Sequence, residues 1–406
     1  MQVAGQTQVM YTYDNGDRLT AMSHGPASVA IGYDDTDRRT SLTLPNGIVV
    51  DYAYDDDSRI AGLTYRQGMT TLGTLTYDHD ARGQRIGVGG TWARAMLPPA
   101  VAAATYDDAN QIATWNSVSF TYDANGNLTS DGGRSYTWNT RNELTSLAGP
   151  TNASFAYDAF GRRRSKTTGA TTQFLYDRLN LIQELASGTP TANVLAGLGI
   201  DEYFTRTDAV GGRTYLTDAL GSTVALADGA GTIHTEYSYE PFGTTVTSGS
   251  GTTNSLGFAA READGTGLYF YRARYFDPKL QRFISEDPLG FGGGDVNLHA
   301  YVANDPVNLI DPTGQAIYIS RPGCAPPTPG RNPPLGGTRS YAEGVQLACL
   351  GRSRWRQAVR GLSPLPPRRQ PARQRRRHAR PRRQAAGPIR CGASPAQVLL
   401  VGDSKD

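Results

Sequence analysis

The first 315 residues contain no cysteine, because the three cysteines of the 406-residue chain stand at positions 324, 349 and 391. That body forms no disulfides, so burial alone must stabilise it in any redox compartment. No apolar run approaches the roughly 20 residues that span a bilayer, and the N-terminal segment lacks the charged and apolar regions of a signal peptide. We therefore expect no membrane span and no signal peptide, and any export would use a route that this chain does not encode.

Residues for cofactor or metal chemistry are also scarce. The five histidines, at positions 24, 79, 234, 299 and 378, are scattered without metal-ligand spacing, and we interpret His299 as structural. There is no phosphate-binding loop and no nucleophile elbow. Residues 290–295, GFGGGD, follow no strand–helix pattern, so we interpret them as a flexible loop. The sequence predicts neither a metal nor a cofactor.

Charge divides the chain near residue 315. The formal net charge is only +3, but residues 316–406 hold 17 Arg and one Lys against three acidic residues, which makes them +15 and leaves residues 1–315 at −12. About half of the prolines lie after residue 315, whereas 20 of the 22 tyrosines lie before it. Two different compositions are joined there, which indicates a boundary between an aromatic-rich body and a basic tail.

The body repeats a Tyr-Asp pair with a period near twenty. Tyr-Asp begins at positions 13, 33, 54, 77, 106, 122, 157 and 176, and Trp138-Asn139 fills the one gap. A large apolar residue usually stands two positions before the tyrosine, a pattern that favours a strand with one apolar face. Asp, Asn and Gly then supply turn chemistry, and an apolar residue returns six positions after the tyrosine. The repeat is weakest around residues 85–104. Such a period indicates stacked supersecondary units, and we expect residues 1–315 to form one continuous, curved antiparallel sheet.

Two of these units carry a family resemblance. FTYDANGNLTS at residues 120–130 and FAYDAFGRRRS at 155–165 resemble the YD repeats of rearrangement-hotspot (Rhs) proteins and of the C components of insecticidal toxin complexes. Residues 215–243 and 267–291 resemble the Rhs repeat-associated core. The resemblance implies an all-β fold, in which YD hairpins wind into a curved or spiral β-shell closed by the core. It implies a YD-repeat region at 1–190, a core at 191–315 and a variable C-terminal tail, in the toxin position, at 316–406.

The core contains Asp-Pro-x-Gly twice, starting at Asp287 and at Asp311. The motif is good turn chemistry in its own right. The resemblance, however, implies an aspartic-type self-protease in which both aspartates converge, share one proton and cut the chain before the toxin. It also implies an upstream arginine, for which Arg274 is the first candidate and Arg282 the second.

The same resemblance places the cut about one residue after the second motif, between Gln315 and Ala316. Gln315 stands where family members usually carry an apolar residue. The function that follows is delivery of a C-terminal effector, enclosed by the shell and released by self-cleavage, from a secreted or cell-surface protein. Its expected partners are its own C-terminal segment, a secretion apparatus or an N-terminal shell portion, and an immunity protein.

Several alternatives stay open for the body and for the tail. The body could be a non-catalytic YD-repeat surface that binds carbohydrate or protein, and the whole chain could be a degenerate fragment of an Rhs gene. The basic tail is rich in Pro and Arg and poor in apolar residues, which predicts disorder. A changed reading frame would give the same composition. An effector that binds nucleic acid by charge is the next alternative, and a folded enzyme toxin ranks below it.

Overall fold

The computed structural model describes residues 6–94 and 96–319, and within them almost every regular element is a β-strand. The tail from residue 320 onward, with its predicted disorder, lies outside the described residues. The first sheet has eight strands that pair in chain order. They are β1 (Val9–Tyr13), β2 (Leu19–His24), β3 (Ala27–Tyr33), β4 (Arg39–Thr43), β5 (Ile48–Tyr54), β6 (Ile60–Gln67), β7 (Thr70–His79) and β8 (Arg85–Gly89).

Two further sheets continue the repeat. A small sheet holds β9 (Ala104–Tyr106), β10 (Ile112–Trp115) and β11 (Val118–Ser119). The largest sheet has fourteen strands, again in chain order. They are β12 (Thr121–Tyr122), β13 (Leu128–Ser130), β14 (Ser135–Trp138), β15 (Leu144–Ala148), β16 (Ala153–Tyr157), β17 (Arg163–Thr168), β18 (Ala170–Asp177), β19 (Asn180–Ala186), β20 (Thr189–Ala196), β21 (Tyr203–Asp208), β22 (Gly211–Thr217), β23 (Thr223–Ala227), β24 (Ile233–Tyr239) and β25 (Thr245–Gly249).

The last part of the described chain is a compact module of short elements. It contains β26 (Glu262–Ala263), β27 (Tyr269–Tyr271), β28 (Arg274–Asp277) and β29 (Arg282–Phe283), then β30 (Leu309–Ile310) paired with β31 (Tyr318–Ile319), and three 3₁₀ turns at Phe258–Ala260, Gly290–Gly293 and Val302–Asn304. We call residues 256–319 the core module and the strands β1–β25 the wall.

The predicted turn chemistry is confirmed, with one shift. In the first unit the Asp14 carboxylate accepts the backbone N–H groups of Gly16 and Arg18 at 2.9 and 3.0 Å, and this fixes the reversal between β1 and β2. The same pattern recurs in most later units. After Tyr77 the strand runs on to His79, and Asp80, not Asp78, accepts the two turn amides.

The tyrosine hydroxyls connect neighbouring hairpins. Tyr33 donates to the carbonyl of Leu19 at 3.0 Å, and Tyr157 donates to that of Leu144 at 2.7 Å. Each acceptor is the first residue of the preceding return strand. A phenol can bury its ring in the apolar layer and still satisfy its hydroxyl, which explains why tyrosine suits this position.

The expectation of one continuous sheet is wrong, because the described strands form five separate sheets, and pairing is interrupted twice within the wall alone. Residues 90–94 and 96–103 form no strand, in the part where the repeat is weakest. The small sheet then ends at Ser119, and the large sheet begins at Thr121. The large sheet continues through residue 190 without a break. The chain bridges both interruptions by packing, since the first sheet shares one apolar core with strands β20–β23.

Contacts between the first and the large sheet recur at a similar distance along the sequence. Arg39 pairs with Glu202, and the hydroxyl of Tyr65 donates to the carbonyl of Thr217 at 2.5 Å, across 163 and 152 residues. Asn46 donates to the carbonyl of Asp228 across 182 residues. A spiral gives this offset when one turn of the wall lies against the next. The core module packs against the wall, because Phe270 and Tyr275 share an apolar cluster with strands β13–β16.

Candidate functional site

The first Asp-Pro-x-Gly motif forms the tight turn that its sequence predicts. Asp287 lies just after β29, and its carboxylate accepts the backbone N–H of Leu289 at 2.8 Å. The N–H of Gly290 donates to the carbonyl of Asp287 at 2.8 Å, and the N–H of Asp287 donates to that of Leu298 at 3.0 Å. The turn therefore fixes both the backbone and one carboxylate oxygen, and the second oxygen, Oδ2, faces the interior of the module.

The second motif places its aspartate on the candidate cleavage bond. Asp311 is 2% exposed, and Gly314 takes a φ of +70°, which glycine adopts without strain. Oδ1 of Asp311 accepts the backbone N–H groups of Gln315 at 3.0 Å and of Ala316 at 3.1 Å. The amide nitrogen of Ala316 is the leaving group if the Gln315–Ala316 bond is cut, so a carboxyl group contacts the leaving atom directly.

Arg274 joins the two aspartates. One guanidinium nitrogen, Nη2, lies 2.9 Å from Oδ2 of Asp287 and 3.2 Å from Oδ2 of Asp311. Its other two nitrogens donate to backbone carbonyls, Nη1 to Leu298 at 3.0 Å and Nε to Gly314 at 2.5 Å. The carboxylates therefore face each other across a single nitrogen atom, which is the convergence that the two motifs suggest.

Burial sets the charge of this cluster. It raises the pKa of Asp311, opposed by the Arg274 cation and by the backbone N–H groups of the turn. It also raises the pKa of Asp287, where the Arg274 charge acts downward and the Asp311 charge acts upward. Burial likewise lowers the pKa of Arg274, against the pull of both carboxylates. One cation beside two buried acids favours a state in which the acid pair retains one proton, and the titration then belongs to the pair.

A small cavity opens on the same groups. Its volume is about 10 Å³, close to the least that holds one water molecule. The residues around it include both aspartates, the arginine and the two residues of the candidate bond: Arg274, Asp287, Asp311, Gln315 and Ala316. A single water-sized space next to a peptide bond and two carboxyl groups is what hydrolysis of that bond needs.

Gly293 forms part of the cavity and was missed by the sequence interpretation, which placed it in a flexible loop. It ends a 3₁₀ turn, Gly290–Gly293. A Cβ at this position would lie 2.5 Å from Oδ2 of Asp287 and 3.2 Å from the carbonyl oxygen of Gln315. The backbone of Gly293 thus separates the first carboxylate from the candidate scissile carbonyl at very close range, and only glycine fits there.

The hairpin tip between β27 and β28 holds the second motif by its backbone. Three consecutive residues of the tip donate to three consecutive carbonyls of the motif. A guanidinium nitrogen of Arg272 donates to Pro312, the N–H of Ala273 donates to Thr313 at 3.2 Å, and Nε of Arg274 donates to Gly314. These three hydrogen bonds fix the backbone of the motif and do not involve its side chains. The sequence shows only Arg-Ala-Arg, and nothing local indicates this partner.

Arg282, the second candidate arginine, does not join the cluster. Its guanidinium donates to the carbonyl of Asn110 at 2.6 Å and lies 5.0 Å from the centre of the Tyr106 ring, against the small sheet. The structure thus brings Arg274 to the aspartates and directs Arg282 to the wall. The two side chains differ because Arg274 starts a buried strand, whereas Arg282 lies on a half-buried one.

His299 lies between the motifs and is fully buried. Its ring packs edge-on against Tyr122, with centroids 5.9 Å apart, and neither ring nitrogen has a hydrogen-bond partner among the described residues. Burial lowers the pKa of His299 to about 4, helped by the nearby cations Arg282 and Arg274. The imidazole is therefore neutral at ordinary pH, in keeping with a structural role.

The described part of the chain contains no metal-binding cluster and no membrane-spanning helix. No cluster of three or more His, Cys, Asp or Glu there could hold a metal ion. No helix among residues 6–94 and 96–319 is long and apolar enough to cross a membrane.

The chain is all-β, repeats a Tyr-Asp turn, winds its hairpins into a wall and packs an aromatic-rich module against that wall. These features define a β-shell that is built from repeats. Comparison with known proteins gives the family. The chain belongs to the YD-shell family, since the Teneurin YD-shell family model matches residues 98–306, about half of the chain. The RHS Repeat model matches residues 33–71.

Several relatives that the chain matches are named as nucleases or toxins. The chain is 28% identical over 301 residues to the tRNA3(Ser)-specific nuclease WapA of Bacillus spizizenii, a match that covers 71% of this chain and 12% of that protein. It is 28% identical over 283 residues to the double-stranded DNA deaminase toxin A of Burkholderia cenocepacia, which covers 58% of this chain and 20% of the relative. The toxin subunit YenC1 of Yersinia entomophaga is 35% identical over 102 residues, 24% of this chain and 10% of that subunit. The matched segment thus spans a fifth or less of each relative's length.

Solved structures show the same fold. A Tc holotoxin pore of Photorhabdus luminescens aligns with a TM-score of 0.55 at 19% identity, over 76% of this chain and 21% of the other. A complex of TcdB2 and TccC3 without its hypervariable C-terminal region aligns with a TM-score of 0.54 at 19% identity, over 75% of this chain and 21% of the other. The β-shell architecture expected from the repeats is therefore confirmed.

Proposed function

We propose that this chain is a C-terminal part of a toxin-delivery protein, whose shell holds the segment after residue 315 and releases it by cutting the Gln315–Ala316 bond. The observation that carries the proposal is the position of Asp311, which accepts the backbone N–H groups of both residues of that bond and is joined through Arg274 to Asp287. The toxin names of its relatives support the delivery role.

In this proposal the two carboxyl groups take different parts in the hydrolysis. Asp287, ionised, takes a proton from a water molecule in the cavity, and the water oxygen bonds to the carbonyl carbon of Gln315. Asp311, protonated, gives its proton to the nitrogen of Ala316 as the C–N bond breaks. The products are a carboxyl group on Gln315 and an amine on Ala316, and the pair recovers its single proton.

Arg274 and the backbone keep this arrangement in place before the reaction. The guanidinium holds both Oδ2 atoms and two carbonyls, so neither carboxylate can rotate freely. Rigid placement of reacting groups supplies a large part of catalytic rate. The reaction would occur once per chain, because the product is the severed chain itself.

The released segment is the expected effector or its remnant. Its charge of +15 against −12 for the body would keep the two parts associated at low salt, and charge of this kind can bind nucleic acid. The same proposal includes export from the producing cell, a secretion apparatus or N-terminal shell portion as partner, and an immunity protein that protects the producer.

Mass spectrometry of the intact chain under denaturing conditions tests the proposal. The wild type should give two fragments that join at Gln315–Ala316, and Asp287→Asn and Asp311→Asn should each give one full-length species, because an amide cannot share the proton. Asn keeps the turns, so both variants should fold. A wild type that stays whole, or Asn variants that are cut like the wild type, would leave the cluster as a buried ion pair within a non-catalytic binding shell.

A further inference from the structure

The carbonyl oxygen of Pro312, inside the second motif, accepts hydrogen bonds from two arginines. Arg261 donates to it through Nη1 at 3.0 Å, and Arg272 donates to it as well. A plain turn has no need for two cations on one carbonyl. Both side chains belong to the core module, and both reach the residue that follows Asp311. They therefore hold the backbone that aims the Asp311 carboxyl group at the candidate bond.

A single carboxylate of the wall holds both arginines. Oδ1 of Asp201 lies 2.5 Å from Nη2 of Arg272 and also pairs with Nη2 of Arg261. Asp201 stands in the connection between β20 and β21, where its backbone N–H donates to the side chain of Asn180 at 2.8 Å. Arg272 adds a second wall contact, since its Nη2 donates to the carbonyl of Leu179 at 2.8 Å. Wall, arginines and motif form one continuous network.

The network depends on the charge of Asp201. The side chain of Arg261 is 3% exposed and that of Arg272 15% exposed, so their cations need a buried partner. Burial alone would lower the pKa of Arg272, but the adjacent Asp201 carboxylate raises it instead. Without that carboxylate, two guanidinium groups would meet at one carbonyl and repel each other.

The backbone at this junction is also in a rare conformation. Asp201 has a φ of +66° and Arg272 a φ of +61°, while Ala259 and Ala260 in the adjoining 3₁₀ turn have +47° and +55°. Residues other than glycine seldom adopt these values, and they persist only where the surroundings impose them. Four such residues at one junction indicate that the wall and the core module constrain each other there.

We infer that Asp201 is a positioning residue for self-cleavage, which couples the cut to assembly of the wall on the core module. This inference rests on the proposed function. When the β20–β21 connection packs against the core module, Asp201 neutralises Arg261 and Arg272. The two arginines can then hold the carbonyl of Pro312. The Asp311 turn reaches its working geometry only at that point. The chain would thus cut itself after the shell has formed around its contents, and not before.

Time courses of self-cleavage during cell-free translation of the whole chain test this role. Asp201→Asn should slow the appearance of the two fragments at least ~10-fold, because a small misplacement of reacting groups has a large effect on rate. Glu202→Gln is the matched control. It lies next to Asp201 and loses an ion pair with Arg39 inside the wall, at 2.7 Å, but it does not touch the network. It should cut within ~2-fold of the wild-type rate.

Two further measurements separate positioning from a general loss of stability. In a background that carries both Arg261→Met and Arg272→Met, Asp201→Asn should change the rate by less than ~2-fold, because both partners of Asp201 are already gone. Merely structural effects would add to one another. Thermal unfolding is compared in chains that also carry Asp287→Asn, which stay whole. Asp201→Asn and Glu202→Gln should lower Tm by similar amounts although only the first slows cutting. Should Asp201→Asn not fold, Asp201→Glu, which keeps the charge but displaces it, takes its place in every comparison.

The outcomes are distinct. Wild-type cutting by Asp201→Asn, or slowing that Glu202→Gln matches, overturns the positioning role while the proposed self-cleavage stands. Additive slowing in the background that carries both Arg261→Met and Arg272→Met also overturns it. A wild type that never cuts overturns both the self-cleavage and the inference that rests on it.

Discussion

The sharpest test of the candidate site is a single methyl group at Gly293. A Cβ there would lie 2.5 Å from Oδ2 of Asp287 and 3.2 Å from the carbonyl oxygen of Gln315. Real Cβ atoms essentially never approach an atom below 3.0 Å, so the Asp287 carboxylate must move by at least about half an ångström. Misplacement of about 1 Å in a reacting group can lower a rate ~100-fold. We expect Gly293→Ala to slow self-cleavage by one to two orders of magnitude, that is, ~10-fold to ~100-fold.

Gly292→Ala provides a control of equal chemistry. Its Cβ would meet only the Cβ of Leu289, at an ordinary 3.7 Å, and neither Gly292 nor Gly293 has a positive φ. Both variants therefore add one methyl to the same 3₁₀ turn without backbone strain, and both should fold. Only one of them presses on the carboxylate. Any general effect of a stiffer turn appears in both, so the difference between them isolates the site.

The assay is a time course of cleavage during cell-free translation, resolved on denaturing gels, with fragment masses to locate the cut. Gly292→Ala should match the wild type, and Gly293→Ala should accumulate as full-length chain. If Gly293→Ala cuts as fast as Gly292→Ala, the carboxylate of Asp287 is not part of the reaction, and the assignment of a base at this position is refuted.

The buried charged groups of the structure give four further testable outcomes. Burial raises the pKa of both site aspartates, Asp287 and Asp311, so the pair loses its shared proton as pH rises through its raised pKa. The cleavage rate, measured between about pH 5 and pH 9, should therefore fall toward the alkaline end. A rate that rises there would contradict the assignment. Arg282→Ala should leave the cleavage rate within ~2-fold of wild type and lower unfolding free energy by ~1 kcal/mol, since its cation contacts only the wall; a block in cleavage would reinstate it in the site. His299 has a folded-state pKa of about 4, against 6.5 in a free side chain, so it contributes stability above pH 6.5 that is lost as pH falls toward 4. In urea unfolding, His299→Phe should remove ~3 kcal/mol of this loss of stability at acid pH. An unchanged dependence of the unfolding free energy on pH would show that the ring is not buried in its neutral form. Arg163→Met removes the arginine that pairs with Glu262 and Asp264 and leaves Asp264 only Lys166 as a cation, at 3.5 Å. It should lower the unfolding free energy by ~3–5 kcal/mol in a cleavage-blocked chain, and a loss below ~1 kcal/mol would show that the remaining partners suffice.

Local rules made much of this protein readable from its sequence. Each Tyr-Asp unit combines a period-two apolar face with a turn that an aspartate closes on amides two and four positions ahead, so strand, turn and return strand are all set within about twenty residues. The two Asp-Pro-x-Gly turns follow from the same chemistry. Family resemblance added the shell and pointed to Arg274, and the fold bears out that architecture.

Tertiary structure alone decided how these pieces meet. It selects Arg274 over Arg282, which stand eight positions apart and look alike in sequence, because strand register turns one guanidinium to the aspartates and the other to the wall. It makes Gly293 indispensable, and it connects Asp201 to Arg272 across 71 residues. It also splits the expected continuous sheet. Periodicity and turn propensity act over a few neighbouring residues. Contacts across tens to hundreds of residues depend on how the spiral closes and on where flexible guanidinium groups find buried carboxylates, and no local pattern encodes that.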